Sequence, residues 1–169
     1  MSTRVYGSLA RIADFRNSNF DVQVLPRSDW STGDYVEGEV VGPVTDLYTV
    51  EDRSGHMVRV EPGDWVIGAL GERAATLEGV GSYRDIGPDA LMHTLTSAGL
   101  MGFYTSFSKL LPEPVCLRYL GHLCRNNRKV CMSDFAMKAD FHGFSIPTLL
   151  LVGTSMSAGK TTTGRRVCK

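Results

Sequence analysis

Short apolar runs cut at close intervals by glycine and proline constrain this chain most, because they leave little room for long helices. Gly33–Val41 alternates toward a strand, and Leu47–Glu51 and His56–Val60 flank a tight turn at Asp52–Gly55, which reads as a hairpin. Glu61-Pro62-Gly63-Asp64 is the turn that proline followed by glycine prescribes, and Trp65–Leu70 follows it as a buried strand. Val5–Ile12 and Asp21–Leu25 read as earlier strands joined by Asp14–Phe20. Val115–Cys124 reads as a later strand turning back at Asn126-Asn127. Short strands joined in this way argue for a small barrel or sandwich. A single helix interrupts them, over Asp89–Ala98, where Pro88 precedes Leu91, Met92 and Leu95 at helical spacing. Trp30 and Trp65 read as core or rim packing.

The character of the chain changes after Pro147. Thr148–Val152 is a short apolar run suited to a strand buried on both faces. Gly153-Thr154-Ser155-Met156-Ser157-Ala158-Gly159-Lys160-Thr161-Thr162 then reads as a glycine-bounded loop opening a helix. Backbone N–H groups in such a loop point into one concavity, and the helix adds the positive end of its dipole, so polyphosphate oxygens are favoured there. Lys160 brings a charge to the terminal phosphates, and the Thr161 hydroxyl completes the coordination of Mg²⁺. The candidate ligand-binding residues are Gly153, Thr154, Ser157, Ala158, Gly159, Lys160, Thr161 and Thr162, and the ligand they imply is ATP with Mg²⁺. The standard spacing leaves four residues between the glycines; here five separate Gly153 from Gly159.

That five-residue spacer and the Gly-Thr opening resemble the variant phosphate loop of the dethiobiotin synthetase and cobyrinic acid amidase superfamily, which includes MinD-like and nitrogenase-iron-protein-like ATPases. The resemblance implies a parallel α/β domain binding Mg-ATP. Many ATPases of the group carry a second lysine early in the loop, where Thr154, Ser155 and Met156 stand here; the synthetase-like branch lacks it. The resemblance covers only the last twenty or so residues.

The expected fold is therefore a mainly β module over residues 1–137, a connector over 138–147, and the strand-loop-helix start of an α/β nucleotide-binding domain over 148–169. The rest of that domain, including an acidic metal ligand, is expected beyond Lys169, so this chain alone is expected to be inactive. The function expected is that of the N-terminal part of a phosphate-loop ATP-dependent enzyme or ATPase whose β module contacts substrate or subunits. The alternative is a non-catalytic β-barrel binding or assembly module with a vestigial loop, its C-terminal strand paired by another polypeptide or by self-association. In isolation Thr148–Val152 is expected to be disordered or buried against a partner.

Composition narrows the partners. Eighteen basic and eighteen acidic residues cancel, so no overall field favours nucleic acid or an anionic membrane. The cluster Arg125, Arg128 and Lys129 reads as solvated turn residues, too narrow for a nucleic-acid face. No apolar stretch approaches the length of a membrane span, and Met1–Tyr6 lacks a signal-peptide core, so a cytoplasmic location is expected. Cys116, Cys124 and Cys131 fall near His122. Period-two alternation would put Cys116, His122 and Cys124 on one face with Cys131 opposite, a set that could bind zinc but lacks knuckle spacing and reads better as buried thiols. The Glu72-Arg73 pair reads as a surface turn with a weak ion pair.

Overall fold

The computed structural model of the chain describes residues 2–15, 19–42, 49–75, 77–111, 113–138, 143, 145–154 and 158–168. They divide into two units, Met1–Ala136 and Met137–Lys169. The first unit carries the strands β1 (Arg4–Tyr6), β2 (Asp21–Gln23), β3 (Tyr35–Val40), β4 (Val50–Glu51), β5 (Met57–Val58) and β6 (Trp65–Leu70). It continues with β7 (Glu72–Ala75), β8 (Gly79–Ser82), β9 (Leu91–Thr94), β10 (Leu100–Phe107), β11 (Cys116–Arg125) and β12 (Arg128–Lys129). The second unit carries one helix, α1 (Lys160–Val167).

Strand pairing in the first unit closes on itself. β6 pairs antiparallel with β3, β3 with β11, β11 with β9 and β9 with β10, and β10 returns to β6 in parallel. This ring is a small barrel. One edge of β6 is shared: β1 takes its first half, with Tyr6 opposite Ile67, and β10 takes its last two residues, with Leu100 opposite Ala69. The handover needs three backbones to meet closely. A Cβ added to Gly68 would lie 2.1 Å from the Gly99 oxygen, and one added to Gly7 would lie 2.8 Å from the Ala98 oxygen. Outside the ring, β7 and β8 form a flap on β10, β2 and β12 extend β11, and β4 and β5 form a separate hairpin.

Alternation sorts the strands between two cores. From β3 and β6, Val36, Val40, Val66 and Leu70 enter the larger cluster with Met92, Met101 and Leu117, while Tyr35, Ile67 and Ala69 enter the smaller one with Phe15, Leu123 and Val130. On β11 the phase changes, because the register with β3 shifts between Tyr119 and Gly121. This bulge moves Leu123 to the opposite core from Leu117 and Tyr119.

Several expectations need correction. Asp89–Ala98 is not a helix: Ala90 has φ +59°, the Leu91 N–H bonds the Asp89 side chain at 3.2 Å, and Leu91–Thr94 becomes a strand between β10 and β11. Two flanking strands offer those residues a ladder, which outweighs a short helical pattern. Val5–Ile12 holds a strand only to Tyr6 and then turns through a 3₁₀ segment at Ser8–Ile12. Glu72 and Arg73 are consecutive strand residues and so project to opposite faces; Arg73 pairs with Glu78, and Glu72 with Arg84. The expected hairpin forms as Val50–Glu51 against Met57–Val58, while Leu47 and Tyr48 lie outside the described residues. β6 has the expected bounds, and the Asn126-Asn127 turn has φ +50° and +58°, the two-residue geometry that matches strand twist.

The glycine junction predicts a sharp contrast. Gly68→Ala places a methyl against backbone and should cost about 3 kcal/mol or more, with disordering of the β6–β10 pairing. Gly63→Ala meets nothing within 4 Å and carries only the strain of φ +89°, about 1 kcal/mol. Urea unfolding of the two variants beside the parent checks both values.

Candidate functional site

In the second unit, the expected strand Thr148–Val152 does not form. Among the described residues nothing pairs with it, and a strand without a neighbour has no ladder to define it. Leu149, Leu150 and Val152 are 66%, 79% and 81% exposed. A helix does begin nearby, at Lys160, where the sequence suggested Thr161 onward. Gly159 caps α1 with φ +82°, and the first intrahelical bond runs from the Thr163 N–H to the Gly159 oxygen at 2.9 Å. The N–H groups of Thr161 and Thr162 therefore stand before the ladder begins and have no partner within the helix.

The chain before the loop folds back along this helix. A Cβ at Gly153 would lie 2.9 Å from Lys160 Cγ and 3.1 Å from Nζ, and one at Gly164 would lie 3.3 Å from Leu151 Cδ1. Lys160 is half-buried and reaches across Gly153, while Gly153, Thr154, Ala158, Gly159, Thr161 and Thr162 are exposed. Ser157 lies outside the described residues. Ala158–Thr162 line an open depression of about 170 Å³. That volume is below the ~300 Å³ at which pockets begin to hold whole small molecules. No acidic residue occupies the first turn of α1, and Arg165 and Arg166 occupy its last, the polarity that leaves an anion favoured at the start.

The barrel unit holds a second, buried arrangement of polar groups. The bulge at Gly121 brings Tyr119 and His122, three residues apart, to one side of β11, and the Tyr119 hydroxyl lies 2.6 Å from His122 Nδ1. Burial pushes the Tyr119 phenol up to about 12, so it keeps its proton. On the other side of the ring, His122 Nε2 faces Asp34 Oδ2 at 3.4 Å. At that separation the contact is longer than a well-formed hydrogen bond, and Nε2 and Asp34 Oδ1 have no hydrogen-bond partner among the described residues. Lys129 Nζ completes the chain at 2.8 Å from Oδ2, and the Ser31 N–H donates to the same oxygen at 2.7 Å. Trp30 covers the assembly, its ring 4.5 Å from Tyr119 and 5.3 Å from His122.

Burial alone would raise the Asp34 carboxyl. The contacts from His122, Lys129 and the Ser31 amide together outweigh it and hold the group below its ordinary value of 3.8. Glu37 responds in the opposite direction: burial lifts its carboxyl above the ordinary value, although Arg4 Nε sits 2.6 Å from Oε1. That guanidinium also lies over the Trp65 ring at 4.9 Å.

The cysteines and His122 do not converge. The bulge separates Cys116 from His122, so Cys116 pairs across strands with His93, while Cys131 bridges to Asp34 and its thiol lies 3.8 Å from the Thr32 oxygen. Among the described residues no group of three His, Cys, Asp or Glu side chains is placed to hold a metal, and all four thiols are free. Asp34, Tyr119 and Lys129 had no signal of their own in the sequence: Gly33-Asp34 reads as a strand start, and Lys129 as one charge of a turn.

These features define a mainly β barrel unit with a buried polar network, followed by a segment with a glycine-capped helix. Among the described residues no helix is long and apolar enough to cross a membrane. Compared with protein-family models, curated proteins and solved structures, the chain matches none.

Asp34→Ala leaves buried polar groups without their charge partner and should cost about 3–5 kcal/mol at pH 7. Because the folded Asp34 is held below 3.8, its contribution is complete above that value and is lost as pH falls through the lower folded one. Glu37 has the opposite sign, its penalty relaxing as pH falls. The stability gap between parent and Asp34→Ala, read from urea melts at pH 7 and pH 3, should narrow at the lower pH.

Proposed function

We propose that residues 153–162 bind the phosphate groups of Mg-ATP and that the chain belongs to an ATP-dependent enzyme or ATPase whose barrel unit contacts substrate or subunits. One observation carries the reading. Lys160 stands at the first position of a helix capped by left-handed Gly159 and reaches over Gly153, beside a depression lined by Ala158–Thr162. In that arrangement the N–H groups of Thr161 and Thr162 would hold phosphate oxygens, the Lys160 ammonium would neutralise the terminal groups, and the exposed Thr161 hydroxyl would be the protein ligand to the metal. When bound, Mg²⁺ neutralises and aligns the phosphates. The residues fit the group in size and polarity, and no residue is assigned to a chemical step.

A second reading draws on the exposed Leu149, Leu150 and Val152. An apolar extended segment without ladder partners is suited to strand addition, which would make this protein a β-barrel binding or assembly module whose C-terminal segment pairs with another polypeptide or with a second copy.

Calorimetric titration of Mg-ATP into the chain and its Lys160→Ala variant, at fixed ionic strength, separates the two. Nucleotide binding predicts micromolar affinity weakened about 100-fold in the variant, a loss of about 2.7 kcal/mol. Absence of binding to either protein removes the nucleotide reading and leaves strand addition.

A further inference from the structure

The β11–β12 hairpin builds a charged cleft in the barrel unit that the nucleotide reading does not use. Its tight Asn126-Asn127 turn sets Arg125 directly opposite Arg128. Residues in register across an antiparallel pair project to one side, so both arginine side chains leave the same side of the hairpin, where like charges directly opposed destabilise the pair. Lys129 turns the other way and is committed to Asp34. Arg125 is fixed as well: its Nε donates to the Asn19 oxygen at 3.0 Å, a terminal nitrogen donates to the Asp14 oxygen, and the group lies over the Phe15 ring at 5.3 Å. Arg128 is exposed and makes no hydrogen bond, ion pair or ring contact with a described residue.

These residues line a cleft of about 320 Å³ with Asn126, Val130, Asp134 and Phe135. Asp134, whose carboxylate accepts the Cys131 N–H at 2.8 Å, offsets only one of the two arginine charges. The Phe135 ring packs against Phe15 and Tyr35, each at 6.4 Å, and gives the cleft an apolar side.

We propose that this cleft binds a small phosphate monoester, with Arg128 as the principal anion ligand, Arg125 as a fixed second cation and Phe135 against the organic part. An oxyanion between the two guanidiniums replaces their repulsion with charge-assisted hydrogen bonds, which a planar donor fork makes in pairs. The volume stands at the lower end of small-molecule pockets and argues for a compact ester over a dinucleotide. The site lies in the barrel unit and does not depend on residues 153–162.

The test is a residue-resolved NMR titration of the ¹⁵N-labelled full chain with glycerol 3-phosphate and with inorganic phosphate, chloride being adjusted to hold ionic strength constant. Saturable shifts are expected at Arg125–Phe135 with both probes, tighter for the ester. Affinity should fall about 10-fold in Arg128→Gln and be partly retained in Arg128→Lys, as loss and replacement of one cation require. Arg128 is exposed, so an unchanged spectrum away from the hairpin certifies the variant's fold. Non-saturating shifts, shifts spread evenly over basic residues, or equal affinity in Arg128→Gln would overturn the proposal. So would selective binding of an oligonucleotide to this hairpin without response to either small anion. Shifts at residues 158–162 report the nucleotide segment separately.

Discussion

The barrel depends on three peptide backbones coming together at Gly7, Gly68 and Gly99. β6 uses one edge twice, first for β1 and then for β10, and the change of partner occurs where a side chain would strike main-chain oxygen. A ring of strands without that contact would open between β6 and β10, and the apolar faces of Val66, Leu70 and Met101 would lose their common interior. Gly99 adds a left-handed backbone, φ +91°, that lets the chain enter β10 from the preceding turn. The closure is thus set by what is missing from three residues.

Closure also explains how charge is tolerated inside. Asp34 and His122 are fully buried, and the bulge on β11 is what presents His122 to Tyr119 and Asp34 instead of to the other core. Had the alternation continued unbroken, Tyr119 and His122 would face opposite sides and the carboxylate would have only Lys129 and the Ser31 amide. The imidazole between a phenol and a carboxylate spreads the burial cost of the carboxylate over several groups, and Trp30 covers them.

What the sequence made legible follows the reach of each signal. Turn residues act locally, so β6, the Asp52–Gly55 turn and the Asn126-Asn127 turn could be read directly, and the repeated short strands indicated a barrel or sandwich. The choice between them was decided by contacts far apart in sequence, such as Gly68 with Gly99. Asp89–Ala98 misled because three apolar residues at helical spacing also fit a four-residue strand when neighbours stand on both sides. The cysteine and histidine alternation failed at Gly121, since a bulge adds one residue and reverses every position after it, and no single residue type announces it. Thr148–Val152 has strand composition, yet composition supplies no partner. The buried network escaped notice because its members, Asp34, Tyr119, His122 and Lys129, come from segments whose approach is a product of topology.

The helix α1 has eight residues and buries none of them. A helix so short gains little from its own hydrogen bonds, and its order has to be sustained by contacts such as Leu151 beside Gly164. The same segment that steadies the helix therefore continues into the exposed Leu149 and Leu150. If the proposed ligand settles at Gly159, anything that covered those leucines would lower the entropy still to be lost there, and the ligand would favour the covered state by an equal free energy. The two ends of this short segment would then share one equilibrium, in which occupancy of either reports on the other.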